Sequence, residues 1–127
     1  MNILLGIFFI LHGLVHFWYV TLIQGWVRLE AEMGWSGSSW LLGDMLESPF
    51  LSVLATSLLA LSALGFVGSG IGLLGDTPWT RTLLWISSLL SALTLVVIWD
   101  GGLEKIVEKG LIGLLINLVV ILVLIFR

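Results

Sequence analysis

The chain has no cysteine. Disulfides and thiolate metal sites are therefore excluded, and only His, Asp and Glu remain as strong metal ligands. Charge is scarce as well: 10% of the 127 residues are Asp, Glu, Lys or Arg, whereas a soluble domain carries about a quarter. Five basic residues against eight acidic ones give a net charge of -3, which leaves no basic surface for nucleic acid. Proline occurs only twice, at Pro49 and Pro78, each time at the head of a long apolar run. There is no nucleophile–base constellation, so no catalytic residue is assigned. The Gly65, Gly68, Gly70 and Gly72 run lies inside an apolar stretch and is not a dinucleotide fingerprint.

What fills the chain is hydrocarbon. Hydrophobic residues make up 59% of it, and the mean hydropathy is +1.18. No soluble core of this size could hide so much apolar surface, so lipid is the expected solvent. Four apolar stretches are predicted to span it, at residues 3–25, 49–74, 78–99 and 103–126. The expected fold is all-α: an integral membrane four-helix bundle, up-down-up-down, forming a single transmembrane domain over residues 1–127. The first stretch lacks the basic region and the small-residue cleavage site of a signal peptide, so it reads as a retained span.

Local signals set the boundaries. Ser48-Pro49 reads as an N-cap followed by proline at the first helical position. Gly75-Asp76-Thr77-Pro78 repeats that start signal after a glycine stop. Glu104, Lys105, Glu108 and Lys109 form a charged opening to the last span, with Lys105 and Glu108 spaced to pair. Arg127 should anchor its far end. Gly6 and Gly13 share a face of the first span, and Ser52, Thr56, Ala60 and Ala63 form a small-residue seam on the second. The connection over residues 26–48 is acidic (Glu30, Glu32, Asp44, Glu47) yet rich in tryptophan and leucine. It is expected to be membrane-facing, with a short helix or turn at 39–46. Trp35, Trp40 and Leu42 should pack on the bundle end or lipid surface, with Glu30 and Glu32 outward.

Basic residues orient the chain weakly. Arg81 and Arg127 share the side of the N-terminus, while Arg28, Lys105 and Lys109 share the other. The expectation is an integral protein of a prokaryotic plasma membrane with both termini cytoplasmic.

Polar groups inside the spans are the candidate site. His12 and His16 are four apart and share a helix face. At ~1.5 Å per residue, His16, Thr56, Ser91 and Asn117 lie ~10–13 Å from the long-loop side. They are therefore expected to form one polar layer, with His12 a turn deeper and Tyr19 a turn shallower. Lipid offers no partners, so these groups should bond one another or water. A neutral imidazole, with one donor and one acceptor, can bridge two helices. A zinc site lacks both a third strong ligand and the glutamate of the helical metalloprotease pattern, so no metal is assigned. Haem, a quinone or another apolar ligand held by His12 or His16 is the alternative, since intramembrane ionisable residues mark function by default. Both histidines cannot serve opposite faces of one porphyrin. The sequence requires no cofactor.

Two blocks carry a resemblance: G-I-F-F-I-L-H-G-L-V-H-F-W-Y near the start, and W-D-G-G-L-E-K-I-V-E-K-G-L-I-G-L-L-I-N before the last span. With the four-span layout, they resemble uncharacterised small four-span prokaryotic membrane proteins and are similar in layout to the DoxX-like group. That resemblance implies a four-helix membrane protein, some relatives being linked to redox or quinone-associated complexes. It carries over no catalytic residue. The expected function is that of a small non-enzymatic integral membrane protein, an accessory or scaffold subunit. Its partners would be the bilayer and either another membrane protein or further copies of itself. The alternative is the redox ligand binder. A transporter would need a continuous polar path that the chain barely supplies.

Overall fold

The computed structural model describes residues 2–30 and 35–126. Glu32 and Arg127, expected to face outward and to anchor the last span, lie outside the described residues. Four helices form: α1 (Asn2–Gln24), α2 (Ser48–Leu74), α3 (Thr80–Ile98) and α4 (Leu111–Phe126). No strand occurs among the described residues. Helices α1, α2 and α3 are long and apolar enough to cross a membrane; α4 has 16 residues, short of the ~20 that usually span the hydrocarbon core.

Helix α2 starts one residue before the expected boundary. Its N-cap is Glu47, extended at φ -70° and ψ 149°, and Ser48 is already helical. Proline sits in the first turn, where its missing N–H leaves no bond unmade. The helix ends as Asp76 turns left-handed at φ 51°. The N–H groups of Gly75 and Thr77 then return to the carbonyls of Ile71 and Gly72, both at 3.0 Å. Helix α3 begins at Thr80, not Pro78, because residues 78–79 are taken up by this turn.

The largest departure is α4. The expected helix from Leu103 does not form; residues 104–110 make successive turns and the helix starts at Leu111. Two left-handed residues explain the break, Lys105 at φ 49° and Gly110 at φ 103°, since a continuous right-handed helix excludes both. Lys105 reaches Glu30 at 2.6 Å instead of the expected Glu108, and Lys109 reaches Asp100 at 2.9 Å.

Helices α1 and α2 meet through glycine. A Cβ on Gly13 would stand 2.7 Å from the Ala63 carbonyl oxygen, and one on Gly70 would stand 2.6 Å from that of Gly6. Only hydrogen fits there. Two apolar clusters form the core. One gathers Phe9, Phe66, Leu84 and Val120. The other gathers Tyr19, Val20, Leu22, Ala55, Leu59, Leu95 and Ile98. Along α1, His12 and His16 fall between the two.

The connection before α2 closes the end of α3. The last carbonyls of a helix lack partners within it. Here Trp40 Nε1–H donates to Val96 O at 2.6 Å and Trp35 Nε1–H to Ile98 O at 3.0 Å. The Ser39 hydroxyl donates to Val97 O, and the Trp40 backbone N–H to Trp99 O at 2.8 Å. Residues 40–46 are a run of turns rather than a helix. Trp35 and Leu42 are half-buried; Trp40 stays 55% exposed despite its two bonds. At the other end of the bundle, Arg81 Nη2 donates to Leu124 O at 2.9 Å and caps α4.

Candidate functional site

The structure brings together His12, His16, Ser91 and Asn117, from α1, α3 and α4. All four are buried, with Asn117, Ser91 and His16 at 0% exposure and His12 at 3%. His12 Nε2 lies 2.8 Å from Asn117 Oδ1. Asn117 Nδ2 donates to Ser91 Oγ at 2.7 Å. Ser91 Oγ meets His16 Nε2. His16 Nδ1 lies 2.9 Å from the His12 carbonyl oxygen. The four bonds close a ring.

The ring fixes its own protonation pattern when both imidazoles are neutral. A carbonyl can only accept, so His16 Nδ1 carries the hydrogen and His16 Nε2 accepts from the Ser91 hydroxyl. Ser91 Oγ is then free to accept from the Asn117 amide. Asn117 Oδ1 accepts, so His12 carries its hydrogen on Nε2. Tautomers and amide orientation are assigned here by the bonding pattern. Each bond has one donor and one acceptor, and no formal charge is needed. Among the described residues, His12 Nδ1 is left as a buried lone pair without a hydrogen-bond partner, and the buried hydroxyl of Ser88 has none either. Phe66 packs against both imidazoles, with ring centroids 4.6 Å from His12 and 5.1 Å from His16.

Two expected members stand apart. Thr56 is not in the layer: its hydroxyl accepts from Gln24 Nε2 at 2.7 Å, in an exposed contact. Depth alone placed it with the others, but its position around α2 turns it toward the end of α1. Tyr19 lies a turn along α1, its ring centroid 5.8 Å from that of His16. Its hydroxyl accepts from the Gly113 N–H at 3.3 Å.

Beside Tyr19 a cavity of about 20 Å³ reaches toward Trp35, Asp100, Glu108 and Lys109. Asp100 is the turn residue of this end. Its Oδ1 accepts from the Gly102 N–H and from Lys109 Nζ, both at 2.9 Å. Burial alone would raise its carboxyl, but bonds from Lys109, Gly102 and Ser36 outweigh that and hold it below its ordinary value. A hydrogen bond from Lys105, aided by its charge, likewise lowers the exposed Glu30. A larger opening of about 270 Å³ adjoins it at Leu95, Trp99 and Lys109, one of about 380 Å³ lies between Gly37 and Leu51, and neither histidine lines any of the three. Among the described residues, no group of three His, Asp or Glu side chains converges as a metal site.

Sequence reasoning passed over Gln24, Ser88 and the carbonyl-capping roles of Trp35 and Ser39. Gln24 carried a usable signal, being the one amide near the end of the first span. The capping roles carried none, because exposed helix carbonyls have no signature in side-chain sequence. No family model, no curated protein and no solved structure matches this chain.

Proposed function

We propose that the protein is a small non-enzymatic integral membrane protein, an accessory or scaffold subunit, whose buried histidines hold its helices together. The observation that carries this reading is the closed ring. Both nitrogens of His16 and one of His12 are engaged inside the protein, so a ligand would have to break the ring to reach them. The apolar outer faces of the helices would meet lipid. An up-down-up-down arrangement is supported by the pairing of contacts. His12 meets Asn117 while Tyr19 meets Gly113, and Gly70 lies against Gly6 while Gly13 lies against Ala63. The same reading takes the layout to be DoxX-like and puts both termini on the cytoplasmic side of a prokaryotic plasma membrane.

A second reading, a redox ligand binder, has one observation in its favour. The His12 Nδ1 lone pair is unengaged, and a lone pair suits haem iron or a quinol hydroxyl but not a quinone carbonyl. An absorbance spectrum of the purified protein, followed by haem titration, tests both readings. The expected result is no Soret band and no saturable haem uptake. Stoichiometric haem that is lost in His12→Ala would overturn the first reading in favour of the second.

A further inference from the structure

The cavity beside Tyr19 has a size and a lining that select its occupant. Its volume is about 20 Å³, and one water needs ~10–15 Å³ with two to four polar partners. Two partners stand ready in the lining. Glu108 Oε2 is buried and has no hydrogen-bond partner among the described residues, a costly arrangement for an acceptor out of bulk solvent. The Tyr19 hydroxyl accepts from Gly113 and has no acceptor for its own hydrogen among the described residues. The Lys109 ammonium in the same lining, bonded to Asp100 and to Gly102 O, disfavours a metal cation by repulsion. The two unmet valences are complementary to water, one donor and one acceptor.

We propose that this cavity is a built site for a single water molecule, which accepts from the Tyr19 hydroxyl and donates to Glu108 Oε2. The water ties α1 to the irregular segment that leads into α4. It also marks how far solvent reaches from the long-loop side. Beyond it, Tyr19 meets His16 by ring edge alone, and no hydrogen bond among the described residues joins the water site to the histidine ring. The two are separate networks, one solvated and one dry.

Tyr19 is the sole tyrosine, so its vibrational spectrum reads this site without assignment. The Raman Fermi doublet of a tyrosine distinguishes a hydroxyl that donates from one that only accepts. The expected wild-type doublet has donor character. Glu108→Leu should shift it toward the acceptor-only form, and Glu108→Gln, which keeps an acceptor oxygen, should restore donor character. An acceptor-only doublet in the wild type overturns the proposal. So does a donor doublet indifferent to Glu108→Leu. A second measurement needs no variant: X-ray radiolysis in water enriched in oxygen-18 should label Tyr19 well above the lipid-facing aromatics, Phe8 and Trp18. Tyr19 labelled no more than these would also sink it.

Discussion

Helix α1 is held to α2 and to α4 in two different ways. Against α2 it presents glycine, and the backbones close on each other through Gly6, Gly13 and Gly70. Against α4 it presents polar side chains, and the bonds His12–Asn117 and Tyr19–Gly113 span the gap. In the bilayer proposed above, apolar faces gain nothing by leaving lipid for one another, so helices associate by close packing or by hydrogen bonds. This bundle uses one device on each side. Close packing depends on shape and has no tolerance for added atoms. The polar seam tolerates distance but demands that every donor meet an acceptor.

The packing side should break hardest. A Cβ on Gly70 would meet Gly6 O at 2.6 Å and Ile10 N at 3.0 Å, both backbone. Backbone cannot swing aside, so Gly70→Leu should cost at least about 1–3 kcal/mol, as overpacking does, seen as a lower melting temperature in detergent. Gly68→Leu is the matched contrast. There the new Cβ meets one flexible side-chain atom, Leu83 Cδ2, at 3.2 Å, and the loss should be clearly smaller. Equal effects at the two positions would mean that the close approach is not what holds α1 to α2.

The polar side should yield less. Hydrogen bonds between membrane helices contribute about 0.6 kcal/mol on average and about 1.7 at most. A double-mutant cycle on His12→Ala and Asn117→Leu should return a coupling in that range. Thr56→Val, which removes only the exposed contact with Gln24, should stay within about 0.5 kcal/mol of wild type. A coupling indistinguishable from zero would demote the ring to a by-product of packing.

This contrast was half legible in sequence. Hydropathy located the three long helices, because a long uncharged apolar run has few other solutions. Depth along a helix follows from counting, so His16, Ser91 and Asn117 could be assigned to one level, with His12 a turn deeper. Azimuth does not follow from counting, and Thr56 shows the consequence: the right depth on the wrong side. The start of α4 failed for another reason. Leu103, Ile106 and Val107 continue the apolar pattern, but Lys105 adopts a left-handed conformation that its side chain does not advertise. Gly110 was the readable warning, because glycine there permits the φ of 103° that ends the turn.

The smallest expected effect lies outside both seams, at the long-loop end, where two ion pairs differ in burial. Asp100 and Lys109 are 11% and 14% exposed in their side chains, while Glu30 is 69% exposed opposite Lys105. The folded Asp100 carboxyl is held below its ordinary value. Its contribution is therefore complete above the unfolded aspartate pKa of about 3.9 and is lost as pH falls through the lower folded value. Acid should thus weaken the loop end only below about pH 4. Asp100→Asn should remove more of that acid sensitivity than Glu30→Gln, because a solvated carboxylate gains little from its partner. About 1 M salt should erase the Glu30 contribution and spare most of that from Asp100, since buried pairs are screened less. Neither pair touches the glycine contact or the histidine ring. The melting curve of Gly70→Leu, whose contact holds no titratable group, should therefore keep its offset from wild type across this pH range. An offset that collapses in acid would mean that the loop end, and not the glycine seam, governs how the bundle comes apart.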